Sequence, residues 1–120
     1  MTNALKEKFE KGEPALGFAL MYPSPSSMEC TAAGWDWVWL DAQHGQTDYA
    51  TTLYSVQMAE KLGLSTIVRP SGNEPNMFGP ILDTCATGIM VPMINSAEQA
   101  RQVAKAFYFP PLGERSYGGR

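Results

Sequence analysis

The stretch Trp35-Asp36-Trp37-Val38-Trp39-Leu40-Asp41-Ala42-Gln43-His44-Gly45 decides the fold. Four apolar residues, 37 to 40, end abruptly in a carboxylate, an amide, an imidazole and a glycine. A short apolar run that stops on chemically able side chains is the mark of a strand buried in a parallel sheet, with function collected at its carboxyl end. The spacing predicts a strand over Trp37–Asp41. Trp35, Trp37 and Trp39 recur with period two and so share one face of it, where core packing is the ordinary role and an aromatic substrate cage the rarer one.

Working outward, the same unit repeats. Upstream, the apolar run Ala15 to Met21 predicts a first strand, stopped by the Pro23-Ser-Pro25 loop. A short helix from about Ser27 to Ala33, closed by Gly34, joins the two strands. Before them, Asn3 caps an amphipathic helix that carries Leu5 and Phe9 on one face and stops at Gly12. Downstream, Thr47 is placed to cap a helix through Lys61, and Ser65 to Arg69 forms a third strand that ends at Pro70. Asn73, Glu74 and Pro75 open another helix, in which Gly79-Pro80 predicts a kink or a late start. Gly88 to Pro92 is the fourth strand, and Ser96 with Gln99 makes a capping box for a helix to about Ala106. The tail to Arg120 is irregular.

Strand starts at 15, 37, 65 and 88 fit right-handed strand-helix-strand crossovers, hence a parallel sheet in an α/β fold. Two architectures satisfy that pattern: an open doubly wound sheet, and a barrel of eight units, of which 120 residues are about half, since a whole barrel takes roughly 250 residues. No Gly-x-Gly-x-x-Gly follows the first strand, Gly17 lying within it.

Composition excludes several classes of function. The chain is 44% hydrophobic and 18% charged, which is globular rather than disordered. Nine basic against 12 acidic residues give a net charge of -3, with no basic field for a nucleic acid. No apolar run is long enough to span a membrane, and the polar start Met1 to Glu13 lacks a signal peptide's core, so a cytoplasmic protein is expected. Cys30 and Cys85 are expected as a buried, reduced pair. Two cysteines and one histidine far apart give no zinc spacing, and neither a phosphate loop nor a nucleophile elbow is present.

The chemistry-bearing residues sit where strands end. His44 follows Asp41 by three residues, and Gly45 gives the turn freedom to aim the ring. A carboxylate nearby orients an imidazole for proton transfer near neutral pH. Arg69 closes the third strand immediately before Pro70; it reads either as a solvated charge or helix C-cap donor, or as a guanidinium projecting from the sheet end, a planar fork suited to a carboxylate or an enolate oxygen.

Residues 35 to 45, Ile67-Val68-Arg69-Pro70, 81 to 93 (ILDTCATGIMVPM), and 97 to 115 with its Pro110-Pro111-Leu112-Gly113-Glu114-Arg115 run resemble, in that order, the HpcH/HpaI aldolase family. The resemblance implies a (β/α)8 TIM-barrel fold, with residues 1–120 as the N-terminal half of a single domain covering the first four βα units. It implies a lyase that splits 2-keto-3-deoxy sugar acids or 4-hydroxy-2-oxo acids into pyruvate and an aldehyde. It makes His44 the base, Asp83 the carboxylate forming a dyad with it, Asp41 a second acid, and Arg69 the residue that binds the keto oxygen of pyruvate. Gln43, also at the substrate, stands where the family often carries Glu. The cofactor implied is a divalent ion, Mg2+, Mn2+ or Co2+, held by carboxylates on later strands, and no metal ligand is expected in this chain. The implied partners are a small-molecule keto acid and an aldehyde, in a homo-oligomer. The alternative is a non-catalytic half-barrel that binds small acids or serves as an assembly module.

Overall fold

A computed structural model describes residues 3–118; Met1, Thr2, Gly119 and Arg120, which belong to the polar start and the irregular tail, lie outside the described residues. The sheet has four parallel strands, β1 (Gly17–Leu20), β2 (Trp37–Asp41), β3 (Ser65–Arg69) and β4 (Gly88–Ile89), in the order β1-β2-β3-β4. Each strand therefore lies beside its predecessor. An open doubly wound sheet must reverse its order at a switch point; unbroken succession is how a barrel winds.

The helices are α1 (Ala4–Glu10), α2 (Pro25–Thr31), α3 (Tyr49–Lys61), α4 (Phe78–Asp83) and α5 (Ala97–Phe107). Asn3 caps α1 as expected, its Oδ1 accepting from Lys6 N at 2.9 Å, but only Leu5 of the Leu5/Phe9 pair is buried. Lys8 on α1 pairs with Asp36 at 2.6 Å, and Asp36 also accepts from Leu16 N, which latches α1 to the entry of β1 and β2 and holds the Asp36 carboxyl below its usual range. Helix α2 begins earlier than expected, because Ser24 caps it and Pro25, with its fixed φ, suits the first turn. The cap of α3 is Asp48, not Thr47: Asp48 Oδ1 accepts from Thr51 N at 2.8 Å.

Pro75 to Met77 form a single 3₁₀ turn, after which α4 starts at Phe78. The late start places Pro80 in the first turn of α4, where its missing N–H costs nothing. For α5, Ser96 Oγ accepts from Gln99 N as a cap should, but the reciprocal bond shifts by one residue, Asn95 N donating to Gln99 Oε1 at 2.7 Å. The fourth strand is shorter than the apolar run 88 to 92. Beyond Met90, whose N–H still reaches Val68 O, prolines 70 and 92 offer no donor and the ladder ends.

The core lies between the sheet and its helices. Leu20, Val38, Leu40 and Val68 point to one face and pack on Met28 of α2, on Ala32 at the C-cap of α2, and on Val56 and Ala59 of α3. The strand residues of opposite parity, Trp37, Trp39 and Asp41 on β2 with Ser65, Ile67 and Arg69 on β3, face the other way. Trp37 and Trp39 are therefore part-buried on the inward face rather than in the helix-facing core, and Trp35 lies outside the strand, its ring 5.8 Å from that of Phe18. Both cysteines are free but exposed, contrary to the expected burial. Among the described residues no helix is long and apolar enough to cross a membrane.

Candidate active site

Asp41 and Arg69 are the last residues of β2 and β3 and stand directly opposite each other in the register. Both belong to the inward face, so the parallel ladder brings a carboxylate and a guanidinium together without any loop. The pairing is bidentate: Arg69 Nε donates to Asp41 Oδ1 at 3.0 Å and Nη2 to Oδ2 at 2.6 Å. Asp41 is fully buried, whereas the Arg69 side chain keeps 20% of its surface. Oδ1 accepts in addition from the backbone N–H groups of Gln43, at 2.9 Å, and His44, at 3.2 Å.

That crowd of donors, Arg69 foremost, outweighs the cost of burial and lowers the Asp41 carboxyl to about 2, while the carboxylate raises the Arg69 guanidinium above its ordinary value. Sequence reasoning expected Asp41 as an acid beside the His44 ring. The structure instead places its carboxylate on Arg69 and on the backbone of the 43–44 turn. A carboxyl so strongly ionised orients and does not donate protons.

The turn after β2 presents His44 to solvent and half-buries Gln43. It is pinned to the residue that follows β1 by Gln46 N, which donates to Met21 O at 2.8 Å. Gly45 sits where a Cβ would collide with the carbonyls of Asp41 and Met21. The glycine serves close backbone approach rather than the left-handed freedom expected of it. His44, Gln43, Asp41 and Arg69 thus cluster at the carboxyl ends of β2 and β3.

Asp83 lies elsewhere. It is the last residue of α4, and its Oδ1 accepts from Arg115 Nη2 at 2.7 Å. Arg115 in turn stacks over Phe109 at 4.8 Å, and Asp83 and Arg115 line a cavity of about 380 Å3 between α4 and α5. No hydrogen bond joins Asp83 to His44 among the described residues. Sequence reasoning missed Arg115 as the companion of Asp83, since a separation of 32 residues gives no local signal.

Among the described residues a divalent ion finds no ligand set. Among the described residues no three His, Cys, Asp or Glu side chains come together, and both Asp41 oxygens already accept from Arg69. The described residues do not fit a metal on their own.

Strands that succeed one another in order, with an acid, an arginine and a histidine at the carboxyl ends of adjacent ones, have the arrangement of a TIM barrel. The HpcH/HpaI aldolase/citrate lyase family model matches residues 21–120, and the chain belongs to that family. It is 36% identical over 119 residues to a 4-hydroxy-2-oxo-heptane-1,7-dioate aldolase of Klebsiella pneumoniae, an alignment covering 98% of this chain and 45% of the relative. It is 32% identical to a 2-keto-3-deoxy-L-rhamnonate aldolase of Shigella sonnei, with the same coverage. Among solved structures, an HpcH/HpaI aldolase from Desulfitobacterium hafniense superposes with a TM-score of 0.87 at 32% identity, covering 96% of this chain and 45% of the other. The chain thus spans a little under half the length of the relatives it matches, and its fold is of the TIM-barrel type, its four strands forming part of the barrel.

Proposed function

We propose that these residues belong to a lyase that cleaves a 4-hydroxy-2-oxo acid or a 2-keto-3-deoxy sugar acid to pyruvate and an aldehyde, residues 1–120 forming the first half of its single barrel domain. The observation that carries this is the Asp41–Arg69 pair at the ends of β2 and β3, with His44 on the adjoining turn. Cleavage removes the proton of the 4-hydroxyl, breaks the carbon–carbon bond beside it, and drives the electron pair onto the keto oxygen as an enolate. His44, exposed on a pinned turn, takes the hydroxyl proton and returns one to the enolate carbon. Arg69 has Nε and Nη2 on Asp41, which leaves Nη1 to donate to the oxygen where charge develops. Gln43 borders the same space as a polar contact for substrate.

Among the described residues no hydrogen bond joins Asp83 to His44, so the dyad in this proposal takes its Asp83 from a second copy in a homo-oligomer. The resemblance assigns the divalent ion to carboxylates on later strands, outside these 120 residues.

Arg69→Lys tests the proposal in the full-length protein. Lysine keeps the charge but replaces the rigid fork with one ammonium on a flexible stem. Turnover is expected to fall about 100-fold, about 2.7 kcal/mol, comparable with the loss of one oxyanion donor. A non-catalytic module, in which Arg69 only covers a sheet end, gives no turnover to lose, and unchanged turnover with a lowered melting temperature would refute the catalytic role.

A further inference from the structure

Trp39 lies two residues before Asp41 on the same inward face of β2, level with Ile67 of β3. The Arg69 guanidinium carbon sits over its indole, 4.4 Å from the ring centroid. Arg69 is therefore held twice, by Asp41 at one edge and by Trp39 beneath. The two contacts do different work. A bidentate ion pair fixes the direction of the fork within its own plane, but its two parallel hydrogen bonds leave the guanidinium able to hinge about the edge they define. A flat ring against its face removes that hinge.

The indole N–H shows which part of Trp39 is used. Nε1 is buried and meets no acceptor among the described residues, so the position gains nothing from the donor and relies on the ring. On β1 the cross-strand neighbour of Trp39 is the small Ala19.

We propose that Trp39 is a positioning residue for the lyase, an aromatic platform that sets the tilt of the Arg69 fork toward the keto oxygen of the bound acid. The proposal rests on the role assigned to Arg69 above. Because the platform touches Arg69 and not the substrate, its removal acts on turnover more than on binding, and only while an arginine is present.

Four variants of the full-length protein test this: Trp39→Leu, Trp39→Phe, Arg69→Lys, and the double variant Trp39→Leu/Arg69→Lys. Trp39→Leu is expected to lower kcat about tenfold with KM within about threefold of the parent. Trp39→Phe keeps a ring face, loses the unpartnered donor, and should retain kcat within about threefold. On the Arg69→Lys background, Trp39→Leu should cost less than about twofold, since residues that act through one another are not additive. If the leucine variant does not fold, Trp39→Met, of similar volume and without a flat face, replaces it. A full tenfold loss on the lysine background, parental kcat in Trp39→Leu, or a phenylalanine variant as damaged as the leucine one would each overturn the platform while leaving the role of Arg69 standing. Parental kcat in Arg69→Lys would instead overturn the role of Arg69, and the platform with it.

Discussion

At the scale of single residues, Asp41 governs the site although it never faces solvent. Its buried carboxylate is balanced by Arg69 and two backbone donors, and that balance makes stability depend on acid. The folded carboxyl is depressed to about 2 from 3.8, so its contribution is fully present above about pH 4 and is lost as pH falls toward 2. The shift corresponds to about 2 kcal/mol. Asp41→Asn removes this component and leaves Arg69 without its counter-charge, so the variant should be about 3 kcal/mol less stable at neutral pH and show a shallower loss between pH 4 and 2. Denaturant titrations at a series of pH values check both, and an identical acid slope in parent and variant would place the depressed carboxyl elsewhere. That Arg69 closes β3 and that His44 follows β2 was legible in the sequence, because each stands where an apolar run stops. The clamp itself was not, because it depends on β2 and β3 being in a register that pairs Asp41 with Arg69 across 28 residues.

Elements are where local chemistry spoke most plainly and where long-range contact overruled it. Asn3 and Ser96 marked their helices because an N-cap acts over three residues, within reach of the sequence. Thr47 lost the role to its neighbour Asp48 because two adjacent capping types leave the start ambiguous by one position. Strand β4 fell short of its apolar run because a strand exists only as far as its partner supplies donors. Gly17 in β1 carries a reason no local pattern contains: Trp37 of β2 lies across it, so that a Cβ would enter the indole. Gly17→Ala should therefore push Trp37 off the sheet and cost about 1 to 3 kcal/mol, as overpacking does, despite alanine's better strand entropy. Thermal melting of this variant beside Gly17→Ala/Trp37→Phe checks the cause. A smaller ring should restore part of the loss, and equal melting temperatures for the two variants would show that the clash is not with Trp37.

At the scale of the whole molecule, one observation separates what a chain holds from what a site needs. His44 stands on the turn after β2, Asp83 at the end of α4 beside Arg115, and no hydrogen bond joins them among the described residues. If His44 and Asp83 work as a dyad, each site is completed across an interface, and two differently damaged chains can repair one another. His44→Ala and Asp83→Asn should each lose most activity in the full-length protein, on the order of 100-fold for the histidine. Mixed in equal amounts, dissociated and reassembled, they should recover about a quarter of parental activity, because in a closed two-fold assembly half the pairs are mixed and each mixed pair has one intact site. The physical reason is the isologous interface: a mixed pair gathers both lesions into one site and leaves the other untouched. Asp83 that only anchors Arg115 predicts a different pattern, in which Asp83→Asn melts lower, keeps a proportionate share of turnover, and gives no gain on mixing beyond the average of the two variants. Activity measured before and after reassembly distinguishes the two, and an unrepaired mixture of well-folded chains would assign Asp83 to the α4–α5 seam alone.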